Sequence, residues 1–421
     1  MRIALVSDSI SAYGGAERVI EQILSLYPQA DIFAVVDVVP PDQRGFLGGR
    51  PVRTSFLQKI PKIERLYRSL LPLWPLAVEQ FDVTGYDLVI TSHHSVAYGV
   101  LTRPDQPHVS YVHSPMRYAW DLQHEYLREA KMERGPKSWL ARRMLHSARI
   151  WDFCAAQRPE TMVANSAFVA NRLRRTHRRE AGVVHPPVYV DTLPPLGSVE
   201  KEDYYLSVCR LVPYKRVELL ARAFARMPEK RLKIVGNGPE LKRLREMKVP
   251  NVEVLGRVPT PEVHRLLAGA QAFLFAGIED FGITAVEAQA AGTPVIAYGA
   301  GGLAETVLGP DHDAPTGLFF AEQTEDAVIA AVHAFEGSKA RFTPENCLTN
   351  AQHFSTERFR SRFKAVVDDA LERARAQAPT GLHGRAVPRG LEAGAKPVLA
   401  EASPRSAPQP APKPTPEPAR S

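Results

Sequence analysis

Two carboxylates, Glu279 and Glu287, stand eight positions apart in the stretch 272–297. Residues 272–276 form an apolar run of the length of a buried parallel strand, and residues 278–282 break it. Apolar residues at helical spacing follow over 283–291, stopped by Gly292-Thr293-Pro294, and the next strand begins at Pro294. This pattern places Glu279 in a loop at the carboxyl end of a strand, where open α/β sheets bind ligands. Glu287 falls in the second turn of the helix, facing the same crevice. The free N–H groups of Phe281, Gly282 and Ile283 at the helix start suit an anion or sugar hydroxyls. Glu287 could accept two hydrogen bonds from a vicinal diol such as a ribose. The ordinary alternative is one solvated loop acid and one helix-face acid. The flanking apolar strands and the tight turn favour a site.

Cations stand in a comparable place. Arg210 and Lys215 occupy the first strand-to-helix loop of the second half. Arginine offers a bidentate fork for phosphate oxygens and lysine a mobile point charge, so the pair could hold a diphosphate in a cleft between domains. The alternative is two solvated loop cations. Gly14-Gly15, between the first strand and first helix, lets backbone N–H groups approach a phosphate or sugar, or makes a tight turn. The pattern is not GxGxxG, which argues against a dinucleotide. Gly236-Asn237-Gly238 opens a later helix in a similar way. His113 ends the strand 109–112 and is followed by Arg117, Trp120 and Asp121. It could hydrogen-bond a sugar hydroxyl or offset developing negative charge, against a simple role as a turn cap. His93 and His94 read as structural.

These residues need rigid elements behind them. Strands are expected at 3–7, 31–36, 86–92, 109–112, 161–164 and 183–188. The Pro-rich, charged run 191–203 marks a domain boundary. Strands resume at 204–208, 232–235, 252–255, 272–276, 294–297 and 317–320. Strands alternating with helices imply α/β architecture: two doubly wound parallel-sheet domains. Residues 57–81 carry apolar residues at helical spacing with Lys59, Lys62, Arg65 and Arg68 among them. They read as a basic amphipathic helix, either packed on the domain or lying in a lipid headgroup layer. The basic run 128–149 reads as a solvated face, and 355–375 as a helix. The Pro- and Ala-rich segment 379–421 cannot bury enough to fold and is expected to be a disordered tail.

The chain has 421 residues, 44% of them hydrophobic, and a formal charge of +7. The length suggests two domains, and the charge fits a phosphate-bearing ligand or an anionic membrane surface. A nucleic-acid binder would need a basic stripe with interleaved aromatics, which is lacking. Three isolated cysteines, Cys154, Cys209 and Cys347, point to a reducing compartment and away from a zinc site. No apolar run approaches the roughly 20 residues of a transmembrane helix. A cytoplasmic protein, soluble or at the inner face of the plasma membrane, is expected.

Taken together, Gly14-Gly15-Ala16-Glu17-Arg18, His113, Arg210 with Lys215, Gly236-Asn237-Gly238 and the Glu279 to Glu287 spacing resemble the family 4 retaining glycosyltransferases of the GT-B fold. The likeness extends to about Arg375. Residues 113–121 and 54–58 are similar to the bacterial mannosyltransferase branch that builds cell-surface polysaccharides. The resemblance implies an N-terminal acceptor-binding domain over 1–190, a nucleotide-sugar domain over 200–354, and a helix 355–375 crossing back to the first domain. It implies that Gly14 and Gly15 face the donor diphosphate and the acceptor, that Glu17 and Arg117 meet the acceptor, and that His113 contacts the donor sugar. Arg210 and Lys215 would neutralise the diphosphate, and Gly236 would contribute to donor binding. Glu279 would hold the sugar with backbone at Phe281, Gly282 and Ile283. Glu287 would hold the ribose, and Arg257 and Val258 would lie near the base. It also implies no divalent metal and no protein nucleophile, with a covalent role for Glu279 as the alternative. The expected reaction moves mannose from GDP-mannose to a lipid-linked saccharide. A UDP-sugar donor, a sugar-nucleotide epimerase on the same fold and a non-catalytic binding protein are the competing readings. The expected partners are a nucleotide sugar, a lipid-linked acceptor and an anionic membrane reached through 57–81 and the basic tail, with no nucleic acid.

Overall fold

Both halves are built around short apolar strands, the central ones buried on both faces. The structure is a computed structural model and describes residues 1–377. The expected tail, 379–421, lies outside the described residues. The first sheet contains β1 (Ile3–Ile10), β2 (Asp31–Asp37), β3 (Val52–Thr54), β4 (Leu88–His93), β5 (His108–Val112), β6 (Thr161–Ala164) and β7 (Gly182–Val183). Every residue of β1 is buried, which explains its apolar run from Ile3 to Val6. The strand order is β3-β2-β1-β4-β5-β6-β7. The second sheet contains β8 (Tyr205–Val208), β9 (Leu232–Val235), β10 (Val252–Gly256), β11 (Phe273–Phe275), β12 (Val295–Tyr298) and β13 (Gly317–Phe320). Its order is β10-β9-β8-β11-β12-β13. All pairings in both sheets are parallel.

In each sheet the strand order reverses beside the first strand. β1 pairs with β4, and β8 pairs with β11. The loops leaving a parallel sheet on either side of such a switch point diverge and leave a crevice. Glycine-rich, histidine and cation-bearing segments therefore matter most where they follow β1, β4, β5, β8 and β11.

The helix Thr356–Gln377 packs on the first sheet although it follows the second in sequence. Phe359, Phe363 and Val367 recur at four-residue spacing and so share one face. All three lie in the same core as Ile3, Leu5, Tyr111 and Val163. The rings of Phe359 and Phe363 stack at 5.5 Å, and both meet the edge of Tyr111.

Some sequence expectations need correction. Residues 57–81 are not one helix but a series of short turns: Phe56–Lys59, Ile63–Leu66, Leu71–Leu73 and Trp74–Glu79. Pro61, Pro72 and Pro75 each lack an N–H donor, and Lys62 adopts a left-handed φ of 59°. Ile63, Trp74, Ala77 and Val78 nevertheless reach the core beneath. The strand expected at 183–188 is reduced to Gly182–Val183 in the sheet, because Pro186 and Pro187 end it, and Val188 makes only an isolated bridge to Ser355. The basic run 128–149 overlaps the 20-residue helix Pro136–Ala155, of which only Ser138, Asp152 and Ala155 are buried. No helix among the described residues is long and apolar enough to cross a membrane.

Phe363 is fully buried in the core of the first sheet. Phe363→Ala is expected to lower unfolding free energy by about 3–5 kcal/mol. The neighbouring exposed change Arg362→Ala should stay within about 0.5 kcal/mol. Denaturant midpoints of the two variants against the parent check both values.

Candidate active site

The carboxyl edges of the two sheets enclose a cleft of about 600 Å³. Its walls come from the loops after β1, β4, β5, β8 and β11. It gathers Gly15, Glu17, His113, Arg117, Arg210, Lys215, Glu279, Phe281, Gly282 and Ile283. Residues more than 260 positions apart thus meet in one space because both switch points face it.

Lys215 and Glu279 touch, ammonium against carboxylate, deep in the cleft. Burial is the largest influence on Lys215 and lowers its pKa to about 8, with Arg117 and Arg210 acting in the same direction. Contact with Glu279 favours the charged form, so Lys215 is a cation at neutral pH. Arg210 is exposed, lines the cleft and makes no ion pair among the described residues. The helix Ile283–Ala290 starts at Gly282, whose φ of 95° suits glycine. The N–H groups of Phe281, Gly282 and Ile283 have no acceptor among the described residues. Two cations and a helix N-terminus thus converge where an anion would be held.

The facing sheet supplies neutral and shaping groups. Burial drives the pKa of His113 to about 3, so its imidazole is neutral at physiological pH. His113 would therefore meet a sugar hydroxyl or developing negative charge as a neutral hydrogen-bonding group and not as a cation. Ser92 Oγ lies 2.9 Å from His113 Nε2 and orients the ring. Glu17 turns back to accept the Gly14 N–H at 3.1 Å, and burial raises its pKa. Gly15 approaches so closely that a Cβ there would sit 2.7 Å from Ile283 Cδ1. Gly14 caps its helix one residue outside the lining.

Four further expected site residues are not among those lining the cleft. Glu287 is buried and does not line the cleft; its Oε1 accepts a hydrogen bond from Arg18 at 2.7 Å. Gly236 is outside the lining too. A Cβ there would meet the Cys209 carbonyl at 1.8 Å, so its role is to let the turn after β9 pack under the Arg210 loop. Arg257 is exposed away from the lining, and Val258 packs into the second core. Arg117 lines the cleft, but it is held by Asp280 at 3.2 Å and lies over the Tyr214 ring.

Several functional side chains escaped the sequence reading. Asp280 accepts hydrogen bonds from Arg172 at 2.6 Å while pairing with Arg117, joining the two sheets. Glu305 accepts the N–H groups of Ala167 and Phe168 at 2.8 and 2.7 Å, at the start of a helix in the other half. Asp8, buried at the end of β1, accepts N–H groups from His94, Ser95, Val96 and Ala97. It fixes the loop that brings His94 to the cleft. The only available signals were adjacency to Glu279 for Asp280 and the Gly-Gly-Ala-Glu-Arg run for Arg18.

Residues 13–192 match the family model of Glycosyltransferase Family 4. Residues 192–353 match that of Glycosyl transferases group 1. The chain belongs to the family 4 glycosyltransferases. As a member of that family it is 32% identical over 195 residues to the D-inositol 3-phosphate glycosyltransferase of Mycobacteroides abscessus, covering 40% of this chain and 42% of the relative. It is 33% identical over 196 residues to the GDP-mannose-dependent alpha-(1-6)-phosphatidylinositol monomannoside mannosyltransferase of Mycolicibacterium smegmatis, covering 40% and 50%. The chain thus spans about half the length of the curated relatives it matches. Anabaena HepE, solved with UDP and glucose, superposes with a TM-score of 0.63 at 18% identity, covering 87% of this chain and 99% of that one. Sucrose-phosphate synthase from Thermosynechococcus elongatus gives 0.65 at 18% identity, covering 89% and 100%. The fold of this glycosyltransferase family member is GT-B.

The lowered pKa of Lys215 sets a pH dependence. An ammonium that holds an anion does so fully below its pKa and loses the attraction above it. Affinity for a nucleoside diphosphate should therefore be flat near neutrality and fall as pH rises through about 8. Lys215→Arg should flatten the profile, because arginine keeps its charge throughout. Calorimetric titrations from neutral to alkaline pH check both outcomes.

Proposed function

We propose that the protein transfers a hexose from a nucleotide sugar to a lipid-linked saccharide, with retention of configuration and without a metal. The observation that carries this reading is the convergence of Arg210, Lys215, Glu279 and the helix start at Gly282 in one cleft opposite a neutral His113. The donor's bond between the anomeric carbon and phosphate oxygen breaks, and the diphosphate leaves with the electron pair. Arg210, Lys215 and the N–H groups of Phe281 to Ile283 oppose the charge that develops there. The acceptor hydroxyl attacks the same face, and its proton passes to the departing phosphate oxygen. No protein nucleophile is needed. Glu279 hydrogen-bonds the sugar once ligand phosphate takes over Lys215. His113 hydrogen-bonds a sugar hydroxyl from the other sheet.

The donor in this reading is GDP-mannose. The relative whose name states GDP-mannose dependence supports it. The likeness of residues 54–58 and 113–121 to the polysaccharide mannosyltransferase branch supports a product in cell-surface polysaccharide. A second reading, a phosphorylated water-soluble acceptor, draws support from the relative named for D-inositol 3-phosphate. In both readings Glu287 meets the ribose, and it must then share its carboxylate with Arg18 or exchange it.

Calorimetry with GDP, UDP and ADP tests the donor. Selective GDP binding, weakened in Glu287→Ala, is expected; selective UDP binding would remove the mannose assignment. Glu279→Ala and Lys215→Ala should each lower turnover by about 100-fold or more with the melting temperature retained. Turnover at the parent rate in either variant, or a strict loss with EDTA, would contradict the mechanism.

A further inference from the structure

A second cavity, about 1160 Å³, opens beside the cleft in the N-terminal half. It exceeds the roughly 300–1,000 Å³ of ordinary small-molecule sites. Its walls are the broken turns 63–75 and the helices Gln123–Glu129 and Pro136–Ala155. Leu71, Met116, Leu127, Leu140, Met144 and Leu145 make it predominantly apolar. Water in such a groove is poorly held, and a hydrocarbon would replace it favourably. His94 lines both this groove and the cleft, so the two spaces adjoin at that residue.

Two further features speak to the occupant. Arg68, Lys137 and Arg143 also line the groove and carry no ion pair among the described residues. A wholly apolar occupant would leave these three cations without a counter-charge. Outside the groove, Leu73, Leu76 and Trp139 are exposed, Trp139 by 69%. An apolar rim with basic residues is the composition that meets an anionic lipid surface.

We propose that this groove holds the hydrocarbon chain of a phosphate-bearing lipid acceptor, with Arg68, Lys137 and Arg143 countering its phosphate. The headgroup then reaches the cleft past His94. The inference deepens the proposed transferase reading and rests on it for the word acceptor. It identifies the groove as the part of the site that selects a lipid.

The test is calorimetric titration of the full chain with octyl, decyl and dodecyl phosphate below their micelle concentrations. Affinity should rise by about tenfold for each added pair of methylenes. Ala141→Trp, which fills the groove, should weaken dodecyl phosphate by at least about tenfold while GDP binding is retained. Ala130→Trp, from the opposite wall, serves if Ala141→Trp does not fold. Lys137→Ala with Arg143→Ala should weaken dodecyl phosphate more than dodecanol. Affinity independent of chain length, or unchanged in a folded groove-filling variant, overturns the proposal. Competition by GDP would place the alkyl phosphate in the diphosphate cleft and also overturn it. Adsorption to phosphatidylglycerol vesicles without alkyl phosphate binding would mean a surface patch alone and has the same effect. Chain-length-dependent binding supports the groove even where no glycosyl transfer is detected. Transfer to a water-soluble acceptor without such binding overturns the groove and leaves the transferase reading intact.

Discussion

Across the cleft, Asp280 holds two guanidinium groups from the opposite half. Arg172 and Arg117 both reach its carboxylate, and all three side chains are substantially withdrawn from water. Charges in that setting hold position only when each is matched, since an unmatched one would carry most of its desolvation cost. Two other carboxylates of the same half extend the clasp, Glu287 to Arg18 and Glu305 to the N–H groups of Ala167 and Phe168. Asp280 is the immediate neighbour of Glu279. The residue proposed to hold the sugar and the residue that ties the two halves together are therefore set by one loop. That loop is braced by Gly301 and Gly302, where a Cβ would collide with the carbonyls of Glu279 and Asp280 at 2.5 and 2.4 Å.

Much of this was legible in the chain. The apolar runs mark strands that are buried on both faces, and the residues ending β5, β8 and β11 do meet across the cleft. Local pattern reaches no further than local structure, and the misses lie there. Arg18 and Glu287 are 269 positions apart, and nothing near either residue announces the pair. Gly236 resembles a phosphate turn, yet it is glycine because the Cys209 carbonyl leaves no room for a side chain. The helical spacing of 57–81 is real, but its prolines divide it into turns. The helix Pro136–Ala155 was masked by its charge: it buries few residues and shows no strong apolar stripe.

The two halves divide the electrostatic work. The C-terminal half contributes cations and a helix N-terminus to one spot, which suits a leaving diphosphate. The N-terminal half contributes a neutral imidazole, a buried carboxyl and a close glycine turn, which suit hydroxyl groups and tight approach. Beyond them its apolar groove lies beside the cleft, on the wall away from the cations. In the proposed reading the donor and acceptor are ordered by polarity: donor diphosphate at one end, the transferred sugar in the middle and the acceptor's hydrocarbon at the other. The proposed transfer from a soluble donor to a lipid needs such an order.

A crystal structure of the protein with GDP tests the central claim most directly. The account predicts diphosphate oxygens within hydrogen-bond distance of Arg210, Lys215 and the N–H groups at Gly282 and Ile283, with ribose hydroxyls on Glu287. A diphosphate bound elsewhere, with Lys215 and Glu279 still paired to each other, would contradict it.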